Sequence, residues 1–210
     1  MATLQGWNNT YGLNKTGEQQ VEVLATKLQE QITVLMKQQG YKTLHILPLT
    51  SDLIRATETN NKVRLRLKNT IVGTVWHPTI TTKQLRERDF GIFEGQPSSA
   101  LASDPRSLAY RALTEINEKL TYIVDPTVET DGQIITRCTA LIDPLLDQCE
   151  NQTEPYLLLL STHGGTLNAL VRSINHTTQS SPIENCGSFT FTVAQWRNMA
   201  RKLQQKAASE

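Results

Sequence analysis

The chain is short of most features that would settle a class at once. Its 210 residues hold three cysteines, Cys138, Cys149 and Cys186. They have no metal-site spacing and cannot all pair, which suits a reducing compartment. Net charge is nearly absent, with 21 Lys plus Arg against 20 Asp plus Glu. That balance speaks against a nucleic-acid surface or a polybasic membrane anchor. No apolar run approaches the ~20 residues of a membrane span, and the first residues lack the pattern of a signal peptide. No internal repeat and no dividing linker stand out. The expectation is a cytoplasmic protein of one large domain, residues 1–194, followed by a polar tail at 195–210.

One stretch orders the rest: Leu157-Leu158-Leu159-Leu160-Ser161-Thr162-His163-Gly164-Gly165-Thr166. A short apolar run closed by paired glycines reads as a strand buried on both faces. The glycines allow a tight turn, and residues 166–174 have helical spacing with Thr166 as N-cap. Strand, turn and helix in that order put His163 at the carboxyl end of a sheet strand, where open α/β sheets hold ligands. The adjoining helix N-terminus favours an anion. A buried histidine satisfied by a backbone carbonyl is the competing reading, and this stretch alone does not separate the two.

Along the chain, Asn14-Lys15-Thr16-Gly17-Glu18 leads into a helix with Val21, Leu24, Leu28, Ile32 and Leu35 as its apolar stripe and Gly40 as its cap. Leu44-His45-Ile46-Leu47 reads as a strand that Pro48 stops or bends. Ser51 is the expected N-cap of the next helix, with Arg55 in its first turn facing the same sheet edge as His163. A guanidinium fork there matches a phosphate; pairing with Glu58 or Glu115 at the surface is the plainer reading. Residues 71–75 form a second candidate strand. Residues 85–95 pack acids, bases and two glycines into one loop, either an ordinary surface loop or a mount for a general acid. Residues 98–122 look helical with an interruption at Pro105. A helix from 134 to 149 should be kinked by Pro144. Residues 189–193, Phe-Thr-Phe-Thr-Val, alternate like a last strand.

In combination these segments resemble the histidine phosphatase superfamily, the phosphoglycerate-mutase-like group. The motifs stand in family order over residues 4–193: Gln5-Gly6-Trp7, Ser51-Asp52-Leu53-Ile54-Arg55-Ala56, Leu85-Arg86-Glu87 with Glu94, Glu129-Thr130 with Arg137, Ser161-Thr162-His163-Gly164-Gly165, and Ile183-Glu184-Asn185-Cys186. The resemblance implies an α/β fold: a three-layer, open, mostly parallel sheet with helices on both faces. It implies a phosphohistidine mechanism without cofactor or metal. Arg55, a charged His163 and Gly164 would hold the phosphate. Glu87 would serve as catalytic acid and later base, alongside His163, and Glu94 and Glu129 would contact substrate. The implied ligand is a small phosphorylated metabolite, such as a sugar bisphosphate, or inorganic phosphate; no nucleic acid, membrane or defined oligomer is implied. The loop at 86–91 looks closer to fructose-2,6-bisphosphatase-like phosphatases than to the mutases.

One departure is large. Family members begin with an apolar strand ending in Arg-His-Gly, whose histidine attacks phosphorus. None of this chain's four histidines, His45, His77, His163 and His176, stands in that context. His45, in a strand with no glycine turn, is not a substitute. The expectation is a sheet lacking its first central strand and a chain with negligible turnover. It is read first as a phosphatase type without its nucleophile, second as a pseudophosphatase binding a phospho-ligand or a partner protein, and third as a mutase. Lesser departures are Asn14 where Thr is common and Val128 where Gly is common.

Overall fold

The computed structural model describes residues 3–178 and 185–207. Four parallel strands form the sheet: β1 (Leu44–Ser51), β2 (Thr74–Trp76), β3 (Ile80–Thr82) and β4 (Tyr156–Ser161). β1 is the hub. Its first half pairs with β2, its second half with β3 along the same edge, and its other edge with β4, from His45 opposite Tyr156 to Thr50 opposite Ser161.

Pro48 does not stop β1; the strand runs through it. The hydrogen bonds explain why. His45 donates to Pro155 and Ile46 accepts from His77, so odd residues of β1 bond towards β4 and even ones towards β2 and β3. Pro48 thus turns its missing N–H to the gap where β2 pairing has ended and β3 pairing, from Leu49 on, has not begun. A proline is tolerated where no ladder bond is due.

Helices cover both faces. Helix α1 (Lys15–Gln39) is capped by Asn14, whose side chain accepts from Gly17, so asparagine does the work of the commoner threonine. Gly40 ends it in the left-handed region. With α2 (Ile54–Thr70), it packs Val21, Ala25, Ile32, Val63 and Leu67 against Leu44 and Ile46. On the other face lie α6 (Asp131–Glu150), α7 (Gly164–Asn175) and α8 (Val193–Ala207), which pack Ile134, Ile142, Leu170 and Trp196 with Leu49. The layers are helix, sheet, helix, as expected. Short helices α3 (Ser98–Ser103), α4 (Pro105–Ala112) and α5 (Ile116–Thr121) bridge the middle, with Pro105 opening α4 behind its Asp104 cap.

Several expectations shift. Ser51 is not the cap of α2; Leu53 is, and the Ser51 hydroxyl accepts from Leu53 N–H. Helix α7 begins two residues earlier than expected, after His163, because both glycines adopt helical backbone. Residues 71–73 finish α2 and turn, so β2 starts only at Thr74. Pro144 lies within a continuous α6, which starts at a Thr130–Gln133 capping box. Residues 189–193 form no strand before α8. Val128, where glycine is common, is buried. Ile183 and Glu184 lie outside the described residues. Strand β4 is only half-buried along its whole length rather than covered on both faces, because no described element pairs with its outer edge.

The stretch read as a polar tail carries core. Trp196 is fully buried, donates from Nε1 to Asp143 at 2.7 Å and stacks on Phe191. Trp196→Ala should therefore cost about 3–5 kcal/mol, the usual range for emptying a buried tryptophan site. Urea unfolding of the two proteins measures it; a cost below ~0.5 kcal/mol, the surface-substitution range, would return α8 to the status of a tail.

Candidate functional site at the carboxyl edge of the sheet

Because β1 and β4 are parallel and in register to their ends, the segments that follow them emerge side by side. After β1 comes the first turn of α2 with Arg55; after β4 come His163 and the N-terminus of α7. One cavity of about 980 Å³ takes its lining from both, with Gln5, Gly6, Arg55, Glu87, His163 and Gly164 at this end.

Arg55 does not pair with Glu58 or Glu115. Its Nη1 donates to Asn8 O at 2.9 Å and its Nη2 to Gly6 O at 2.8 Å. Two of the five N–H groups of a guanidinium are thereby used, and the loop over the site is tied to the residue that would hold an anion. Asn9 and Glu58 strengthen the tie, accepting from Ile54 N–H and Leu13 N–H. Burial lowers Arg55 from its ordinary value, against the favourable fields of Glu87 and Glu94.

His163 precedes α7 in extended backbone. Its Nε2 is closed off from solvent with no hydrogen-bond partner, so a backbone carbonyl does not satisfy it. Burial, reinforced by the charges of Arg55 and Arg137, pulls the imidazole down to about 3. That direction favours the neutral ring, whereas the resemblance implied a charged one when phosphate is held. The reason is local: desolvation and the two neighbouring arginines outweigh the opposing charge of Asp52.

Glu87 rests on the helix end itself. Its Oε1 accepts from Arg88 N–H at 2.7 Å and Thr166 N–H at 3.1 Å, and its Oε2 from Gly165 N–H at 3.2 Å. A carboxylate thus accepts from two of the free donors of α7, as its dipole favours. Thr166 is not the cap expected of it; its hydroxyl donates to Arg86 O at 2.6 Å and ties the Glu87 loop to α7.

The structure brings Arg55, Glu87, His163 and Gly164 together. It directs Glu94 and Glu129 elsewhere. Glu94 accepts from Trp7 N–H at 2.9 Å, and Glu129 receives Arg137 in a fork at 2.7 and 3.0 Å. Neither lines the cavity; both brace loops. His45 is at the far, amino end of the sheet, bonded to His77 at 2.9 Å and paired with Glu154. Among the described residues no group of three or more His, Cys, Asp or Glu is placed to hold a metal ion, and no helix is long and apolar enough to cross a membrane.

Sequence reasoning missed the supports. Arg86 forks onto Asp52 at 2.7 Å twice and lies over the Trp7 ring at 5.1 Å, while Trp7 Nε1 donates to Glu87 O at 2.7 Å. Arg88 pairs with Asp131, and Arg172 reaches the same carboxylate at 2.8 Å; Tyr110 OH donates to it at 2.9 Å. The only signal in the sequence was the density of charge at residues 86–89.

The arrangement defines a class: an open parallel α/β protein with a candidate site at the carboxyl ends of adjacent strands. The description "Histidine phosphatase superfamily (branch 1)" matches residues 2–205, and the chain belongs to that superfamily. Among solved structures, a mycobacterial glucosyl-3-phosphoglycerate phosphatase in complex with VO3 aligns at TM-score 0.61 and 23% identity, over 88% of this chain and 80% of that one. YhfR of Bacillus stearothermophilus aligns at TM-score 0.53 and 19% identity, over 90% and 77%. No curated protein matches. At these identities the solved structures show the fold, a phosphoglycerate-mutase-like one.

Asp131 is fully buried among cations. Burial alone would raise its carboxyl, but Arg88 and Arg172 prevail and hold it below its ordinary value. Asp131→Ala should cost about 3–5 kcal/mol at pH 7, because two buried guanidinium groups lose their counter-ion. A lowered carboxyl contributes stability above its unfolded pKa, about 3.9, and loses it as pH falls through the folded value. The gap between the two proteins in urea melts should therefore narrow between pH 5 and pH 2.5.

Proposed function

We propose that the chain carries the phosphate-holding and proton-donating side of a metal-independent phosphoric monoester hydrolase acting on a small phosphorylated metabolite. The observation behind this reading is the convergence of Arg55, Glu87, His163 and Gly164 on one cavity end. In it, the remaining N–H groups of Arg55 take two phosphoryl oxygens, and the unpartnered Nε2 of His163 takes a third by gaining a proton. Glu87, acting from its protonated form, would give that proton to the leaving oxygen. The attacking imidazole is the part that none of the four histidines supplies. That absence favours a second reading, a pseudophosphatase that binds a phospho-ligand without turning it over.

Charge arithmetic makes the His163 step testable. Burial and two arginines pull its pKa down to about 3, and a bound dianion would offset those arginines and lift it. Binding should therefore take up a proton, and affinity should rise as pH falls. Sulfate, dianionic across the range, is the suitable probe. Its affinity should increase by up to about tenfold per pH unit between pH 7.5 and 5.5, the limit for one linked proton. Calorimetry in buffers of different ionisation enthalpy reads the proton directly. His163→Gln should flatten the slope; a flat wild-type slope would mean the ring stays neutral when bound.

Arg55→Lys replaces a fork with a point charge. Orthophosphate and vanadate binding should weaken by roughly tenfold or more, since hydrogen bonds to charged groups contribute about 1.5–3 kcal/mol. Residues 1–210 alone should give no acid-labile phosphohistidine on quench with radiolabelled substrate. Robust turnover abolished by His163→Ala, with trapped phosphohistidine, would overturn that part.

A further inference from the structure

The amino half of the sheet carries a second group of polar side chains, of which the carboxyl-edge site makes no use. His45 is the second residue of β1, His77 follows β2, and Glu154 stands two residues before β4. Their surroundings are tied, since His77 N–H donates to Ile46 O at 3.0 Å and His45 N–H to Pro155 O at 2.9 Å. The Tyr156 ring stacks on His45 with centroids 4.7 Å apart and lies 5.4 Å from the His77 ring. His45 Nδ1 faces His77 Nε2 at 2.9 Å, and His45 Nε2 meets the Glu154 carboxylate.

The carboxylate sets the direction of both hydrogen bonds. An ionised carboxylate only accepts, so His45 Nε2 carries the hydrogen. Neutral His45 then has its lone pair on Nδ1, and the His77 Nε2 opposite must be the donor. That leaves the lone pair of neutral His77 on Nδ1. Among the described residues no group bonds to this nitrogen, which stays open to solvent on a half-exposed residue. An imidazole with a free lone pair and a proton acceptor behind it is an activated nucleophile.

We propose that His77 Nδ1 is a second reactive centre, an ester-hydrolysing site that takes the acyl group of a small, uncharged, activated ester. The charge of the relay selects that class. Its one charged partner is Glu154, and no Lys or Arg bonds to the three residues among those described, so nothing holds an anionic donor. The Nδ1 lone pair attacks the carbonyl carbon; the N–C bond forms, the acyl–oxygen bond breaks, and the alkoxide leaves with the electron pair. The His77 Nε2 proton passes to His45 Nδ1, leaving a neutral acylimidazole and an imidazolium beside Glu154. Water then adds to the acyl carbon and loses a proton to solvent. The C–N bond breaks with its pair on Nδ1, and His45 returns the proton to His77 Nε2. His77 alone touches the acyl group; His45 and Glu154 position its lone pair and receive the charge. The centre lies at the opposite end of β1 from Arg55 and His163 and does not rest on the phosphatase reading.

Diethyl pyrocarbonate, a small uncharged acyl donor, tests it within one wild-type molecule. His176, exposed at the end of α7 and without such a relay, is the internal reference. At pH 8, mass spectrometry should find His77 modified at least about tenfold faster than His176, and NMR should place the adduct on Nδ1. Glu154→Gln still accepts from His45 but lacks the charge, so it should slow His77 by about threefold or more and leave the adduct on Nδ1. His45→Ala frees Nε2 and should move the adduct there, a change that a merely structural histidine would not cause. Hydrolysis of para-nitrophenyl acetate should exceed that by N-acetylhistidine at least about tenfold per mole and fall to that level in His77→Gln. The wild-type comparison stands whether or not the variants fold. The proposal is overturned if His77 reacts no faster than His176, if the wild-type adduct is on Nε2, or if the excess ester turnover survives His77→Gln.

Discussion

The pairing of β1 with β4 is the interaction on which the site depends. The two strands run parallel through six registered pairs, so their ends coincide and the segments after them start at one level. A slip of one residue would turn every leucine of β4 to the other face of the sheet. It would also part Arg55 from His163. The register is defended by two cores at once: Leu157 and Leu159 pack with α1 and α2, and Leu158 and Leu160 with α6 and α7. Neither can be satisfied by a shifted strand.

The loop at residues 86–89 is held by a second, electrostatic layer. Each arginine reaches a carboxylate on a different element: Arg86 on Asp52 after β1, Arg88 on Asp131 at the start of α6. Arg137 of α6 returns the grip, donating to Gln84 O at 2.6 Å and Glu87 O at 3.3 Å. Ion pairs of this kind add little net stability when exposed, but buried ones with full hydrogen bonding specify a geometry. Here the geometry specified is that of Glu87. Its carboxylate meets the end of α7 because the loop before and after it is fixed at four points.

Much of this was legible in the residues. The Leu-rich strand, the Gly40 cap, and the shared sheet edge of Arg55 and His163 all follow from patterns that a sequence displays. What was not legible depends on what lies beside a segment. Pro48 reads as a strand breaker, and only the handover from β2 to β3 makes it harmless. Residues 189–193 have the alternation of a strand, yet a strand needs a neighbour, and between this run and β4 lies an open slot. Residues 195–202 read as polar because α8 exposes half of them to water; one tryptophan, one methionine and one alanine anchor it. The charge state of His163 is likewise a property of its surroundings, set by burial and two arginines that come from α2 and α6.

Glu94 illustrates how a motif residue can matter without touching a ligand. Gly6 has a positive φ of 45° and sits so close to the Glu94 carboxylate that a Cβ would overlap it. That contact lets Glu94 accept the Trp7 N–H, which orients the indole to donate to Glu87 O and to lie beneath the Arg86 guanidinium. Gly6 O, meanwhile, receives Arg55. The loop therefore links Arg55 to Glu87 through one glycine and one tryptophan. A side chain at residue 6 would push on both at once, through Glu94 on one side and the carbonyl held by Arg55 on the other. The Gln5-Gly6-Trp7 and Glu94 motifs belong together for that reason: they are two halves of one brace, separated by most of a hundred residues and joined by the Trp7 N–H and by the backbone bonds that Leu4 exchanges with Gly95 and Gln96.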